Sequence, residues 1–121
     1  MVLAGFTNGD DRNTVEKLAL KMSKLRVFED ENGKMNLSLY DVGGKILSIS
    51  QFTLYADCKK GNRPSFDKAM PGKDSVELYK YFNEYVRSLN LEVEEGVFGA
   101  DMKIELLNDG PVTIILDSEA L

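Results

Sequence analysis

The chain has 121 residues, 43 % of them hydrophobic and 29 % charged, with a net charge of −5 and no histidine. That length supports one domain over residues 1–121 with a modest core, and no apolar run approaches the roughly 20 residues that would cross a bilayer. An acidic chain with a pI of about 4.8 is a poor general binder of nucleic acid, and without an imidazole the usual proton acceptor for a nucleophilic serine, threonine or cysteine is missing.

Val2–Phe6 reads as the end of a strand running into a turn at Asn8-Gly9-Asp10. Nothing precedes it to pair or turn, so an N-terminal hairpin is expected to be lacking. From Arg12 to Leu25, Val15, Leu18, Ala19, Met22 and Leu25 follow the three-and-four spacing of an amphipathic helix, with Asp11 or Asn13 as its cap. Val27-Phe28 leads to a polar stretch, Glu29–Lys34, whose Asn32-Gly33 pair signals a hairpin. Met35, Leu37 and Leu39 then alternate with Asn36, Ser38 and Tyr40, as a half-buried strand should.

Gly43-Gly44 turns the chain into Lys45–Tyr55, the longest expected strand. Ala56–Lys73 is a loop rich in Gly, Pro and Lys, and Asp74-Ser75-Val76-Glu77 is a capping-box variant opening a second helix. That helix carries Tyr79, Phe82, Val86 and Leu89 on one stripe. Strands are expected at Leu91–Phe98, Asp101–Leu107 and Val112–Leu116. The order predicts an α/β chain of the α+β type, an antiparallel or mixed sheet with two packed helices.

Three segments could carry chemistry. Ser50, Gln51 and Thr53 are polar groups entering an apolar strand at its C-terminal end. They either pair with neighbouring backbone as the strand leaves the sheet, or, with the backbone N–H groups beside them, hold an acyl oxygen. Thr53 as a nucleophile would need a base that a chain without histidine does not supply. Asn108–Thr113 is a turn by composition, and Gly110-Pro111 is a bond that can be cis or trans. Lys59, Lys60 and Arg63, followed by Phe66, form either a solvated basic loop or a site for a phosphate and a stacked base.

The remaining signals exclude more than they suggest. Cys58 is the single cysteine; it allows no internal disulfide, fits a reducing cytoplasm, and reads as structural or incidental. With no histidine and one cysteine the common transition-metal ligands are missing, and Asp10-Asp11 and Glu29-Asp30-Glu31 lack the spacing of a calcium loop. No metal and no cofactor are indicated.

Together these segments resemble the D-aminoacyl-tRNA deacylases. Ser50–Leu54 (SQFTL) and Asn108–Thr113 (NDGPVT) look like the two signature motifs of that family. Gly61–Phe66 (GNRPSF) and Gly96–Met102 (GVFGADM) match further family segments in the same order and spacing, so the likeness covers the chain from Val2 onward. The resemblance implies a β-barrel-like sheet with flanking helices, assembled as a homodimer, and a substrate set of D-aminoacyl-tRNA and glycyl-tRNA. It implies that Phe52 lends its backbone N–H to the developing oxyanion, while Ser50, Gln51 and Thr53 hold the ester and terminal adenosine. It also implies that Gly110 and Pro111 reach into the partner subunit's site to exclude an L side chain, and that Lys59, Lys60, Arg63 and Phe66 receive the tRNA 3′ end. The resemblance also implies a further strand and hairpin at the start, which this chain is expected to lack.

The expected function is therefore an ester hydrolase of chiral proofreading, working in the cytoplasm. A non-catalytic RNA 3′-end binding protein is the alternative, and a small-molecule esterase is a third reading, separated from the first by independence from the tRNA.

Overall fold

The apolar start of the chain, Val2–Ala4, forms strand β1. After it, the Phe6 carbonyl accepts the Met70 N–H at 2.9 Å, and Thr7 bridges to Ala69. Asp11 then opens the first helix. Its carboxylate accepts the Thr14 N–H at 2.9 Å and so satisfies one of the donors that a helix start leaves unpaired. Those bonds hold the Asp11 carboxyl below the usual carboxylate range, the Thr14 backbone N–H first among the causes. In the computed structural model, which describes every residue from Met1 to Leu121, helix α1 spans Arg12–Lys24 and buries Val15, Ala19 and Ser23.

The hairpin expected around Asn32-Gly33 is present. Strands β2 (Phe28–Glu29) and β3 (Met35–Leu37) pair antiparallel, with Gly33 at φ +75°, a conformation that costs glycine nothing. The strand expected through Tyr40 stops earlier. Ser38 and Asp41 form a reciprocal capping box, and Leu39–Val42 closes into the short helix α2, ended by Gly43 at φ +64°. Side-chain capping here overrides the alternation of apolar residues.

Strand β4 (Ile46–Ser50) is the centre of the sheet, with β1 on one side and β5 (Val93–Glu95) on the other. Both pairings are parallel: Val2, Leu3 and Ala4 lie opposite Ser48, Ile49 and Ser50, and Ile46, Leu47 and Ser48 lie opposite Val93, Glu94 and Glu95. The expected antiparallel or mixed sheet is thus a three-stranded parallel sheet plus the separate β2–β3 pair. A parallel connection needs a long crossover, and α1 and helix α3 (Gly72–Ser88) lie within the two crossovers. Helix α3 begins two residues before the expected capping box. Pro71 is its N-cap, and its carbonyl accepts the N–H groups of Asp74 at 3.0 Å and Ser75 at 2.9 Å. Asp74 therefore sits in the first turn, where its charge favours the helix dipole.

The core lies between the sheet and the two helices, which pack on each other. Phe6, Val15, Ala19, Ile46, Tyr79, Phe82, Val86, Leu91 and Val93 form one buried cluster. Tyr79 keeps its hydroxyl satisfied inside it by donating to the Ser48 carbonyl at 2.8 Å. On the other side of the sheet Leu3 and Leu47 are exposed, while Ile49 is buried. A groove of about 280 Å³ lies there, lined by Leu47, Ile49, Gly96, Met102 and Ile104 among others.

The last two expected strands do not form. Asp101–Leu107 and Val112–Leu116 carry no ladder, and every residue from Lys103 to Ile115 is exposed. Their apolar pattern is that of strands, but a strand exists only where a neighbour accepts its hydrogen bonds, and neither segment pairs with the open edges at β1 and β5. Expected strand ends also shift: Val2–Phe6 contracts to Val2–Ala4, Leu91–Phe98 contracts to Val93–Glu95, and Lys45–Tyr55 ends at Ser50. No helix is long and apolar enough to cross a membrane.

Val86 is fully buried on the face of α3 that meets this core. Val86→Ala is expected to lower the unfolding free energy by roughly 2–3 kcal/mol, from lost burial plus the cavity left behind. A urea titration should show an earlier midpoint with an unchanged slope.

Candidate active site at the end of the central strand

The carboxyl ends of β1 and β4 lie side by side, Ala4 opposite Ser50, and the Ala4 carbonyl accepts the Gln51 N–H at 2.8 Å. In open parallel sheets this is the edge beyond which ligands bind. Past Gln51 the chain leaves the sheet and winds into a 3₁₀ turn, Phe52–Tyr55, with Leu54 N–H donating to the Gln51 carbonyl at 3.3 Å and Ala56 N–H to the Thr53 carbonyl at 3.1 Å. The Phe52 and Thr53 N–H groups precede the first of these bonds. They are the unpaired donors that any helical start presents, a ready acceptor site for a negatively charged oxygen.

The side chains around them are polar and short of bases. Gln51 donates its amide to the Thr53 hydroxyl, which pins both groups at the turn. Thr53 is exposed, Phe52 is 57 % exposed, and Ser50 and Gln51 are half-buried. Tyr55 ends the turn. Burial, and after it the negative charges of Asp10, Asp117 and Glu119, push its phenol above the ordinary value near 10. At neutral pH Tyr55 is thus protonated and takes no proton from Thr53. The site offers amides and hydroxyls rather than an acid–base pair.

Beside the turn stands the basic loop. Asp57 and Ser65 close its neck with two backbone hydrogen bonds, 2.7 and 2.9 Å, and Asp57 also accepts the Lys59 N–H at 3.0 Å. Lys59, Lys60 and Arg63 are exposed on it, and the five ion pairs of the chain involve Lys45, Lys68, Lys80, Arg87 and Lys103 instead. Phe66 meets Phe52 edge to face, ring centres 5.0 Å apart. The aromatic pair therefore joins the loop that carries the three unpaired cations to the turn that carries the free amides. No three Asp, Glu and Cys side chains come together as metal ligands.

Of the residues read from the sequence, Ser50, Gln51, Phe52 and Thr53 share this edge, Phe66 touches it through Phe52, and Lys59, Lys60 and Arg63 lie on the adjoining loop. Gly110 and Pro111 do not join them within the chain. Their bond is cis, the Asn108 side chain donates to the Thr113 hydroxyl at 3.3 Å across the loop, and the whole segment is exposed. One residue at the edge escaped notice in the sequence. Gly5 follows β1 directly, and a Cβ placed on it would lie 2.9 Å from the Gln51 carbonyl oxygen. A glycine closing an apolar strand is the signal that marks such a close approach.

Residues 1–117 match the family described as D-Tyr-tRNA(Tyr) deacylase. The D-aminoacyl-tRNA deacylase of Lactobacillus helveticus is 58 % identical over 117 residues, covering 97 % of this chain and 81 % of that protein. The solved structure of a c-Myc DNA Unwinding Element Binding Protein is 41 % identical, with a TM-score of 0.87 over 95 % of this chain and 78 % of that one. A structure of a probable eukaryotic D-amino acid tRNA deacylase shares the fold, with a TM-score of 0.61 at 19 % identity over 73 % of this chain and 52 % of that one.

The three unpaired cations lead to a quantitative expectation. Replacing Lys59, Lys60 and Arg63 together by alanine should weaken binding of a single-stranded RNA ending in CCA, and should flatten the slope of log affinity against log salt by about 2. Fluorescence anisotropy at several salt concentrations measures both.

Proposed function

This chain belongs to the D-Tyr-tRNA(Tyr) deacylase family, and on that premise we propose that it hydrolyses the ester of D-aminoacyl-tRNA at the Ser50–Tyr55 turn. The products are the free D-amino acid and tRNA. The observation that carries this siting is the pair of free N–H groups, Phe52 and Thr53, at the carboxyl edge of the parallel sheet and next to unpaired cations. The ester carbonyl lies with its oxygen on the Phe52 N–H. Water adds to the carbonyl carbon, and its proton passes by way of the neighbouring ribose hydroxyl to the departing ribose oxygen as the acyl–oxygen bond breaks. The substrate thereby supplies the proton relay that a chain without histidine lacks. A backbone oxyanion donor in such a site is worth about 3–4 kcal/mol.

The other residues have parts in the same reading. Thr53, held by the Gln51 amide, positions the ester and does not attack it. Ser50 and Gln51 line the same strand end. Lys59, Lys60 and Arg63 meet the phosphates of the tRNA 3′ end, and Phe66, packed on Phe52, gives the terminal base a face to stack on. Gly110 and Pro111 exclude an L side chain by backbone bulk. Glycine has no side chain to exclude, so glycyl-tRNA is a second substrate.

The working unit in this reading is a homodimer. Supporting it are Gly110 and Pro111, exposed and unconnected to their own turn by hydrogen bonds, and the neighbouring Ile104, Leu106, Leu107, Val112, Ile114 and Ile115, all exposed on extended backbone. A second copy would cover that apolar stretch, complete the barrel-like sheet, and seat Gly110 and Pro111 at the partner's Ser50–Tyr55 turn. A tRNA substrate locates the work in the cytoplasm. A second reading, binding of a nucleic acid 3′ end without turnover, is favoured by the name of the 41 % identical DNA element binding protein.

Two measurements test these readings. Purified protein should release tyrosine from D-tyrosyl-tRNA and leave L-tyrosyl-tRNA intact, and Thr53→Val should keep measurable turnover, reduced about 10-fold, since positioning rather than nucleophilic attack is lost. Tight tRNA binding with no release of either enantiomer would establish the second reading instead. Sedimentation equilibrium should return twice the 13.5 kDa chain mass, and Ile115→Lys should return one; a monomeric parent would overturn the dimer.

A further inference from the structure

The geometry points to Gly5 as a positioning residue that sets the height of the oxyanion-binding turn. The inference rests on the function proposed above and adds to it a residue outside the turn.

Gly5 follows Ala4, whose carbonyl holds the Gln51 N–H at 2.8 Å. The missing side chain faces the turn. A Cβ there would stand 2.9 Å from the Gln51 carbonyl oxygen, 3.1 Å from Leu54 Cβ and 3.2 Å from Leu54 Cδ1. These two residues are the ends of the first hydrogen bond of the turn, Leu54 N–H to the Gln51 carbonyl. Between them lie the Phe52 and Thr53 N–H groups.

Conformational freedom does not explain this glycine. Six glycines of the chain have positive φ, and Gly5 is not among them. Its backbone suits any L-residue, so the requirement is one of space. The obstacle is also of a particular kind. At Gly44 and Gly96 an added Cβ would meet Leu39 Cδ2 at 2.7 Å and Met102 Sδ at 2.5 Å, and both are ends of side chains that can swing away. At Gly5 the nearest atom is backbone, and that backbone is the turn itself. A methyl group can be admitted only by lifting Gln51 and Leu54 off β1, which carries the Phe52 N–H with them. The basic loop meets the turn through Phe66 on Phe52, and its cations, held by the separate closure at Asp57 and Ser65, need not follow. Chemistry and tRNA binding should therefore separate.

Gly5→Ala is expected to lower kcat on D-tyrosyl-tRNA by about 10- to 100-fold, the scale of a sub-ångström to 1 Å misplacement at a reacting centre, with KM within about threefold. Gly72→Ala, whose added Cβ meets only Phe98 at 3.8 Å, is the control and should match the parent. Amide spectra of 15N-labelled protein give a readout independent of turnover: in Gly5→Ala the Phe52, Thr53 and Leu54 signals should move while those of Lys59–Arg63 and Tyr79–Val86 stay. An unchanged kcat would overturn the inference. So would a loss of activity that merely tracks the folded fraction in a thermal melt, because that is a stability effect. If the parent itself releases neither enantiomer, the proposed function falls and the catalytic role of Gly5 falls with it. The amide shifts would then report separately whether Gly5 sets the turn.

Discussion

The parallel pairing of β1 with β4 is the constraint on which the rest hangs. Three residue pairs join the strands, and the last hydrogen bond of the set, Ala4 carbonyl to Gln51 N–H, lies one residue beyond the ladder. It stops β4 and releases the chain into the 3₁₀ turn. The same pairing lines up the carboxyl ends of both strands and leaves room beneath the turn only because residue 5 has no side chain. Shifting the register by one would send the buried side chains of β4 to the opposite face, so core and site are specified by one alignment.

In the proposed reading the chemistry is built from backbone. Free N–H groups at the start of a helical turn need no ionisable partner, keep their orientation at any physiological pH, and cost no reorganisation as charge develops. A site of this kind suits a substrate that brings its own proton relay. The proposed discrimination by a rigid main chain follows the same economy, since a wrong enantiomer would be refused by collision rather than by a lost attraction. Acidic bulk composition is no obstacle. Lys59, Lys60 and Arg63 are gathered on one clasped loop without carboxylate partners, and at physiological salt their field is felt over only about 8 Å.

The sheet carries both helices on one face, leaving Leu3 and Leu47 open on the other and Lys103–Ile115 extended and exposed. Apolar residues of strand pattern on unpaired backbone are an unstable surface for an isolated subunit. The exposed stretch and the loop of Gly110 and Pro111 are continuous in the chain. Whatever covers the one therefore bears on where the other points, and in the proposed dimer assembly and specificity are coupled through a single segment.

Local signals determined much of this protein. The helix at Arg12–Leu25 was legible because apolar spacing and the Asp11 cap agree, and the β2–β3 hairpin because Asn32-Gly33 favours its turn. The polar groups of Ser50–Thr53 and the cations of the basic loop were legible near the end of an apolar strand, but the turn itself was not, since the alternation ran on to Tyr55 and the strand stops at Ser50. Short-range competition hid other features. The box of Ser38 and Asp41 diverted a strand-like alternation into a helix, and the Pro71 carbonyl started α3 before Asp74. Only tertiary structure decided that β1, β4 and β5 run parallel, that Asp101–Leu107 and Val112–Leu116 go unpaired, and that Gly5 touches the turn from 46 residues away in sequence to Gln51. The physical reason is common to all three. A periodicity of two says which side chains share a face, but the hydrogen-bond partner and the distance of closest approach belong to another segment of chain.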